Sequence, residues 1–182
     1  MSEERIIIDA RTMERTLARL AHEIIEQSAG ERVLYLVGIK RRGVPLAAMI
    51  ADNVRRFSDM AVELGELDIT LYRDDLTELG DQPKISETRI DFDVTGKTII
   101  LVDDVIYTGR TARAAMDAIV ALGRPAAIRL CVMVDRGHRE LPISANYVGK
   151  NVPTSRDEFI AVRVAAIDGG NSVAIARREA RN

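Results

Sequence analysis

The chain has 182 residues, of which 47% are apolar and 30% are charged, and this balance excludes an intrinsically disordered protein. Lys and Arg number 26 against 28 Asp and Glu, so the net charge of −2 provides no global positive field for nucleic acid or a membrane. Any site for a polyanion must therefore be a local cluster of cations.

Signals for export or membrane insertion are not seen in the sequence. The N-terminal stretch, Met1 to Arg5, lacks a basic start followed by a long apolar segment, so we expect no secretory signal. No apolar run reaches the roughly 20 residues that a membrane span needs. We therefore expect a cytoplasmic protein without a membrane partner.

The first third of the chain alternates between helix and strand patterns. Residues 6–8 form a short apolar run that suits an edge strand, and residues 9–28 repeat apolar residues on one helical face. Residues 33–39 have the composition of a buried strand. A second helix is predicted to begin near Pro45, which favours the first turn of a helix, and to run to about Phe57.

The next segment changes from strand to loop character. Residues 62–72 supply β-type residues and are predicted to form a strand. The stretch from Arg73 to Glu87 is polar, contains Gly80 and Pro83, and lacks periodicity. These features predict a long mobile loop.

A strand–helix–strand unit follows and defines the fold class. Residues 97–102 are predicted to form the central strand, because the run over residues 98–102 suits a parallel strand that is covered on both faces. Residues 111–122 form an Ala-rich helix that Gly123 ends, and residues 127–134 are the next strand. Such a crossover predicts an α/β fold with a central, mostly parallel sheet flanked by helices.

The last quarter of the chain differs in amino-acid composition from the rest. Residues 136–157 mix Gly, Pro, Asn and charges and lack a clear period. Residues 158–167 and 172–177 are predicted to be late strands of a small accessory sheet. Cys131, in the apolar strand that comes before this region, is expected to be a buried thiol and not a nucleophile.

The segment from Val102 to Thr111 carries the strongest chemical signal. It follows the central strand, at the edge where open α/β sheets bind ligands. Asp103 and Asp104 supply two carboxylates, which suit the hydroxyl pair of a sugar or a magnesium ion already held by phosphates. The segment then opens a helix with two hydroxyls, a Gly and free amides, which together make a cradle for phosphate. A ribose 5-phosphate would bind through both the carboxylates and the phosphate cradle. The alternative, an acidic surface turn followed by an ordinary helix cap, would not explain why the acids, the hydroxyls and the Gly fall at these positions after a buried strand.

Signatures of other phosphate-binding classes are absent from the sequence. There is no Walker-type phosphate loop and no GxGxxG, so the ATPase and dinucleotide-binding interpretations lose support. Two further loops fit a phosphorylated sugar. Lys40, Arg41 and Arg42 follow a predicted strand and would neutralise a departing pyrophosphate, although a solvated basic turn would explain them if they stood alone. Arg73, with the two acids after it, is a candidate lid residue, and a plain surface loop explains it equally well.

The chain resembles a known family in several segments. Residues 102–111 match the signature of type I phosphoribosyltransferases. Residues 68–75, 134–143 and 147–155 narrow the resemblance to the PyrR family of bifunctional pyrimidine-operon attenuators and uracil phosphoribosyltransferases. The likeness runs from the N-terminal helix to about Arg163.

This resemblance implies a fold, two activities and a set of ligands. The fold would be that of type I phosphoribosyltransferases, in a single domain over residues 1–182 with a small hood from about residues 136–177. Family members bind pyrimidine-operon mRNA when UMP is present and promote transcription attenuation. They also convert uracil and 5-phosphoribosyl-1-pyrophosphate (PRPP) into UMP and pyrophosphate, with Mg²⁺ held mainly by PRPP and not directly by the protein. A homo-oligomer, dimeric or higher, is implied as well.

The resemblance also implies roles for individual residues. Asp103 and Asp104 would hold the ribose hydroxyls and stabilise the positive charge that develops on the ribose ring. Arg73 would belong to a lid segment that closes over the pyrophosphate. Arg136 and Ile160 match positions that line the uracil pocket. The residues that match PRPP-binding and UMP-binding positions are Lys40, Arg41, Arg42, Val105, Ile106, Tyr107, Thr108, Gly109, Arg110 and Thr111.

RNA contacts are expected from basic side chains on two parts of the chain. The candidates are Arg15, Arg19 and His22 on the first helix, and His138, Arg139 and Lys150 further on. A solvated helix face accounts for the first group equally well.

Four positions depart from the family's usual pattern. Ala18 stands where Thr is usual, and Gln27 and Ser144 stand where Arg is usual. The loss of two cations and a hydroxyl should weaken RNA binding. Arg41 stands where Thr is usual in the pyrophosphate loop, which adds charge.

Three other interpretations stay open. A regulator with vestigial catalysis would not need the intact Asp103, Asp104 and phosphate loop. A uracil phosphoribosyltransferase without RNA binding is allowed by the departures at Ala18, Gln27 and Ser144. A purine phosphoribosyltransferase would share the core, and only the resemblance of residues 135–143 argues for a pyrimidine. Neither His22 nor His138 is nominated as a general base, because an oxocarbenium-like step depends mainly on charge stabilisation.

Overall fold

Five parallel strands form the central sheet within residues 4–72 and 87–177, the part of the chain that this computed structural model describes. Their order is β3 (Ala61–Leu67), β2 (Val33–Ile39), β4 (Thr98–Ile106), β5 (Ala127–Asp135) and β6 (Tyr147–Asn151). Each neighbouring pair is parallel, and β4 lies in the middle. The predicted α/β class with a parallel central sheet is confirmed.

Helices cover both faces of this sheet. Helices α1 (Ala10–Gln27) and α2 (Gly43–Phe57) share one apolar core with β2, β4 and β5, and helix α3 (Arg110–Leu122) packs on the opposite face. The α1 helix begins where the Asp9 carboxylate accepts a hydrogen bond from the backbone N–H of Thr12 at 2.7 Å, a standard N-cap. Its apolar stripe then recurs at helical spacing, which is why the sequence predicted this helix closely.

A second, smaller sheet is antiparallel and shares no strand with the central sheet. Its order is β1 (Arg5–Ile8), β8 (Ser172–Arg177) and β7 (Glu158–Arg163), so an N-terminal strand completes a C-terminal hairpin. The short helix α4 (Ala165–Asp168) joins β7 to β8. The sequence analysis extended the first late strand to residue 167, and this was wrong, because the chain turns at Val164 and the amide of Asp168 bonds back to the Val164 carbonyl.

Three other local predictions were wrong. The sequence predicts a loop directly after Val102, but residues 103–106 continue β4 because their backbone still pairs with β5. No strand is predicted at residues 147–151 from their composition, yet they form β6 on the edge of the sheet, where Gly149 and Lys150 interrupt the apolar pattern. Beyond Leu67 the chain leaves the sheet and forms a 3₁₀ turn at Thr70–Tyr72. The predicted loop residues 73–86 lie outside the described part of the chain.

Among the described residues, none of the helices combines the length and the apolar character that crossing a membrane requires. Cys131 is fully buried in β5, as the sequence predicted.

Candidate active site

The two acidic residues of the central strand lie near its carboxyl end. Asp103 and Asp104 occupy β4 just before the chain leaves the sheet, and both side chains are half-buried. Each carboxylate accepts a hydrogen bond from the following backbone N–H, at 2.9 Å for Asp103 and 2.8 Å for Asp104. The strand therefore presents two carboxylates at the edge where a parallel sheet exposes its ligand-binding crevice.

The chain turns from β4 into α3 over three residues. Gly109 caps α3 with a φ of 93°, a left-handed conformation that a glycine adopts without strain. The Thr108 hydroxyl accepts a hydrogen bond from the N–H of Arg110 at 3.3 Å. The first amides of a helix have no partners within that helix, so they suit a phosphate group.

A pocket of about 450 Å³ opens beside this turn. Its lining combines the Asp103 carboxylate with the start of α3 and with Glu140 from the segment after β5. The residues that the sequence predicted for phosphate binding and that line the pocket are Val105, Ile106, Tyr107, Thr108, Gly109, Arg110 and Thr111. The structure thus brings one of the two carboxylates and the whole predicted phosphate cradle to a single cavity.

Residues 107–111, called the phosphate loop below because the sequence predicts that they bind phosphate, are joined by main-chain hydrogen bonds to the segment after β5. The N–H groups of Glu140 and Leu141 donate to the Thr108 carbonyl at 2.9 and 3.1 Å. The Arg110 guanidinium donates from Nε to the Glu140 carboxylate at 2.7 Å. A Cβ placed on Gly109 would lie 3.5 Å from the side chain of Leu141, so the two segments are in contact.

The predicted pyrophosphate loop lies close to β4. A Cβ on Gly43, the first residue of α2, would come within 2.2 Å of the Val102 carbonyl oxygen, so only glycine permits this approach. Gly38 packs as closely, since its Cβ would lie 2.5 Å from the Cα of Val44. These contacts bring the turn between β2 and α2 beside the two carboxylates of β4.

The three cations of this turn have different surroundings. The Lys40 ammonium lies 3.2 Å from a Glu87 carboxylate oxygen and 3.5 Å from one of Glu66, while Arg41 is exposed. Arg42 donates from Nε and Nη2 to the two carboxylate oxygens of Asp168, at 3.1 and 2.8 Å. The peptide bond between Lys40 and Arg41 is cis.

The Arg42–Asp168 pair shifts the acidity of both groups. The hydrogen bond from Arg42 is the main cause that holds the pKa of Asp168 below its ordinary value. The pKa of Arg42 is raised, mainly by that same hydrogen bond and further by the charges of Asp168 and Asp104. Arg42 therefore lies within the electrostatic reach of Asp104, one of the two site carboxylates.

Arg136, one of the two residues predicted for the uracil pocket, bonds to β7, the strand that carries the other. Arg136 is buried and donates from Nε to the Thr154 hydroxyl at 3.0 Å and from Nη2 to the Glu158 carbonyl at 2.7 Å. Its guanidinium carbon lies 4.0 Å from the centroid of the Tyr107 ring, a cation–π contact with the phosphate loop. Ile160 is half-buried on the same strand, two residues beyond Glu158.

The side chains predicted to contact RNA fall into two groups. Arg15, Arg19 and His22 lie on the exposed face of α1, and Arg19 donates to the Gly149 carbonyl at 2.6 Å, next to Lys150 on β6. The ring of His22 stacks on Phe57 at 4.2 Å between centroids.

The second group lies beside the phosphate loop. The His138 imidazole donates from Nε2 to the Thr154 carbonyl, and its ring meets that of Tyr107 edge-on at 5.9 Å. Arg139 is bonded to several groups within the protein.

Some residues at the site were missed by the sequence analysis. Asp168, Glu140 and Thr154 each bond to a predicted site residue, but no local pattern distinguishes them from ordinary surface residues. Arg73, the predicted lid residue, lies outside the described residues.

Comparison with known proteins gives consistent matches. The family model described as "Phosphoribosyl transferase domain" matches residues 6–165. "Bifunctional protein PyrR" of Clostridium novyi (strain NT) is 56% identical over 175 residues, which cover 96% of this chain and 98% of that protein. The protein of the same name from Thermus thermophilus is 58% identical over 173 residues, covering 95% of this chain and 96% of that protein.

Solved structures share the fold at low sequence identity. The hypoxanthine phosphoribosyltransferase of Trypanosoma cruzi has a TM-score of 0.74 at 17% identity, covering 96% of this chain and 97% of that one. A hypoxanthine-guanine phosphoribosyltransferase (hpt-2) from Bacillus anthracis has a TM-score of 0.70 at 21% identity, covering 98% and 99%. Identities this low bear on the fold alone.

Proposed function

Because the chain belongs to the phosphoribosyltransferase family and, within it, to the PyrR proteins, we propose that it makes UMP from uracil and PRPP and regulates pyrimidine genes by binding their mRNA. The fold follows from the same membership: the predicted type I phosphoribosyltransferase fold is confirmed by the family match and the solved structures.

One observation carries the catalytic half of the proposal. The central strand β4 carries two half-buried carboxylates near its carboxyl end, and the chain then passes through a glycine turn into the N-terminus of α3. A ligand with vicinal hydroxyls and a terminal phosphate satisfies both ends of this arrangement. PRPP has both groups, and its pyrophosphate would face Lys40, Arg41 and Arg42 across the site.

The site residues contribute to different parts of the reaction. Uracil N1 forms a bond to C1′ of the ribose as the bond from C1′ to the pyrophosphate oxygen breaks, and the N1 proton is released. Positive charge develops on the ribose ring, and Asp103 and Asp104 stabilise it while they hold the 2′ and 3′ hydroxyls. Fixed charges of this kind in a shielded site supply much of the rate enhancement in such reactions.

The leaving pyrophosphate carries negative charge that needs cations. Lys40 and Arg42 supply them from the turn before α2, and Arg73 from the lid adds to them. Mg²⁺ that enters with PRPP would neutralise the same oxygens, with Asp103 and Asp104 as the nearest candidate protein ligands. Among residues 4–72 and 87–177, no group of three or more potential metal-binding side chains occurs.

The base-binding part of the proposal concerns Arg136 and Ile160. The guanidinium of Arg136 is fixed by Thr154 and Glu158 and stacks on Tyr107, so it joins the phosphate loop to the accessory sheet. A pyrimidine seated there would lie against the aliphatic face of Ile160. A purine enzyme is the competing assignment, and turnover of uracil but not of hypoxanthine or guanine would separate the two.

The RNA-binding half rests on the basic face of α1 and its neighbour β6. Arg19 contacts the Gly149 carbonyl, so the cations of α1 and Lys150 belong to one surface. At Ala18, Gln27 and Ser144 this chain lacks the side chains that are usual in the family, and Gln27 and Ser144 are exposed. An enzyme with weak or lost RNA binding is therefore the second candidate. We place the protein in the cytoplasm, as a homo-oligomer.

Calorimetric titration with an attenuator-like RNA hairpin, with and without UMP, tests the RNA half. Binding that strengthens with UMP and falls steeply with salt supports the regulator. No binding at low salt, in a sample that still converts uracil to UMP, leaves the enzyme alone. Arg15→Gln is the cleaner variant for this test, because Arg19 also holds α1 against β6 and its loss would disturb packing.

A further inference from the structure

Arg129 of β5 reaches the C-terminal end of α1. Its Nη1 donates to the carbonyl of Gln27, the last residue of that helix, at 3.3 Å and to the Tyr147 hydroxyl at 3.0 Å. Within residues 4–72 and 87–177, its Nε and Nη2 donate to no other residue. The half-buried guanidinium therefore keeps donors for a group from outside the protein.

A pocket of about 550 Å³ opens beside this guanidinium. Among the described residues that line it, three are cations, Arg32, Lys97 and Arg129, and one is an acid, Glu31. The Lys97 ammonium lies 4.6 Å from the centroid of the Tyr35 ring, which also lines the pocket. The lining thus has a net positive charge, which suits a phosphate group.

This pocket lies at the opposite edge of the central sheet from the carboxylates of β4. Its lining includes the first residues of β2 and β4, Val33 and Thr98, and the residue directly before β5, Ala126. From Thr98 to Asp103 a strand advances roughly 16 Å. The pocket is therefore separate from the candidate active site, and a substitution in it should leave the reacting groups in place.

The pocket continues the basic surface of α1. Arg19 bonds to the Gly149 carbonyl of β6, and Arg129 bonds to the Tyr147 hydroxyl of the same strand, so both guanidinium groups lie along the boundary between α1 and β6. The last turn of α1 has no basic residue. Because the carbonyls at the C-terminal end of a helix repel an anion, a phosphate there needs a cation from another element. Arg129 provides that cation.

We propose that Arg129 contacts a phosphate of the bound RNA at the C-terminal end of α1, so that the RNA surface extends from Arg15 past Gln27 into this pocket. The inference rests on the proposed RNA binding and adds a residue to it. Gln27 itself is uncharged, but Arg129 places a cation beside the same residue. The departure at Gln27 is therefore not sufficient reason to expect lost RNA binding.

The bonds of Arg129 also suit a purely structural role, because a guanidinium that donates to the last carbonyl of a helix caps that helix. The two roles depend on different properties of the side chain. Capping depends on the direction of Nη1, which lysine does not reproduce, whereas binding of a phosphate depends mainly on the positive charge, which lysine keeps.

The test is a calorimetric titration with the attenuator-like hairpin in the presence of UMP at several salt concentrations. For Arg129→Gln we expect the Kd to rise on the order of 10-fold at about 0.1 M salt, and the slope of log K against log salt to become shallower by about 1, because one phosphate contact is lost. Arg129→Lys should stay close to wild type in both measurements. Adding Gln27→Arg to Arg129→Gln should restore most of the affinity, since it returns a cation to the same place.

Arg113→Gln is the charge-matched control, because Arg113 lies on α3, across the sheet from α1. It should match wild type in affinity and salt slope. The kcat and the KM for PRPP should be unchanged in every variant, because the pocket is separate from the reacting groups.

Three results would contradict the inference in different ways. An unchanged Kd and salt slope in Arg129→Gln would overturn it and leave the proposed RNA binding intact. A higher Kd with a lower unfolding temperature, an unchanged salt slope and no recovery in Arg129→Lys would assign Arg129 to capping instead. A wild type that bound no hairpin at low salt would overturn the RNA half of the proposed function, and this inference with it.

Gln27→Glu keeps the test decisive if the Arg129 variants do not fold. The Gln27 side chain is exposed and its backbone carbonyl makes the bond to Arg129, so this nearly isosteric change spares the packing. A carboxylate beside the bound phosphate should weaken hairpin binding several-fold. Wild-type affinity in Gln27→Glu would show that the RNA does not reach this end of α1.

Discussion

Arg42, in the turn between β2 and α2, and Asp168, at the end of α4, form a two-point ion pair, with both carboxylate oxygens accepting from one guanidinium. Asp168 also accepts from the Val164 N–H at 2.8 Å, so it is fixed at the turn between β7 and β8. Arg42, the proposed cation for pyrophosphate, is therefore held in place by the segment that connects two strands of the smaller sheet.

The stabilising effect of this pair should depend on pH in a defined direction. The folded-state pKa of Asp168 is lowered, chiefly by the hydrogen bond from Arg42, so the ionised form stabilises the fold above the ordinary Asp value near 4. That stabilisation is lost as the pH falls through the lowered pKa. We expect the thermal unfolding temperature of the wild type to exceed that of Asp168→Asn at about pH 7. The two unfolding temperatures should converge as the pH falls to about 2. A constant difference between them would contradict this assignment.

Replacing Asp104 by Asn should remove turnover and spare the fold. The Asn carbonyl can still accept the bond from the Val105 N–H, while the charge that stabilises the ribose cation is gone. We expect kcat/KM to fall on the order of 100-fold or more, as for loss of one transition-state contact in other enzymes. Asp117→Asn, on the outer side of α3, is the matched control. Full activity in Asp104→Asn would show that the carboxylate has another role.

The substitution Gly43→Ala should damage stability and substrate binding together. Its Cβ would lie 2.2 Å from the Val102 carbonyl, so the start of α2 must move away from β4 and take the pyrophosphate loop with it. Overpacking of this kind lowers the free energy of unfolding by about 1–3 kcal/mol. Denaturant unfolding and the KM for PRPP measure the two effects.

Gly170 provides the control for that experiment. An alanine there meets no atom within 4 Å, and the backbone needs no positive φ. Gly170→Ala should therefore match wild type in both measurements. Equal behaviour of the two alanine variants would mean that the close approach at Gly43 is not needed.

Cys131 should be inert to thiol reagents in the folded protein. Burial raises the pKa of its thiol to about 12, with a further contribution from the charge of Glu23. The reactive thiolate is then a fraction on the order of 10⁻⁴ at about pH 8, and the side chain is also shielded from the reagent. Labelling should be complete only in denaturant. Rapid labelling under native conditions would indicate that β5 opens locally.

The fold was predictable from the sequence where periodicity is local. Residues 10–27 repeat an apolar stripe, and residues 99–102 and 130–134 are continuous apolar runs, so the type and order of these elements followed directly. The extension of β4 through Asp104 was not predictable in this way. Two adjacent carboxylates look like a loop, and it is pairing with β5 that keeps them in the strand.

The candidate site residues were likewise predictable only where they are close together in the sequence. Residues 103–111 are contiguous, so their shared chemistry was visible in the sequence. The partners of the cations were not, because Asp168 meets Arg42 across more than half the chain and Glu140 meets Arg110 only after the segment beyond β5 folds back. Arg139 likewise bonds to carbonyls and a carboxylate of its own chain, and no local sequence pattern indicates those partners.

Strand β1 has a consequence for the order of folding. It pairs with β8, so that Arg5 lies opposite Ile175, and a chain emerging from the ribosome cannot form this ladder until the last strand has been made. The central sheet needs only residues up to Asn151. Contacts so distant in sequence carry a high loop-closure entropy and form late. We therefore expect nascent chains to assemble the central sheet and the turn into α3 first, and to fix Arg42 only after Asp168 and β8 have been made.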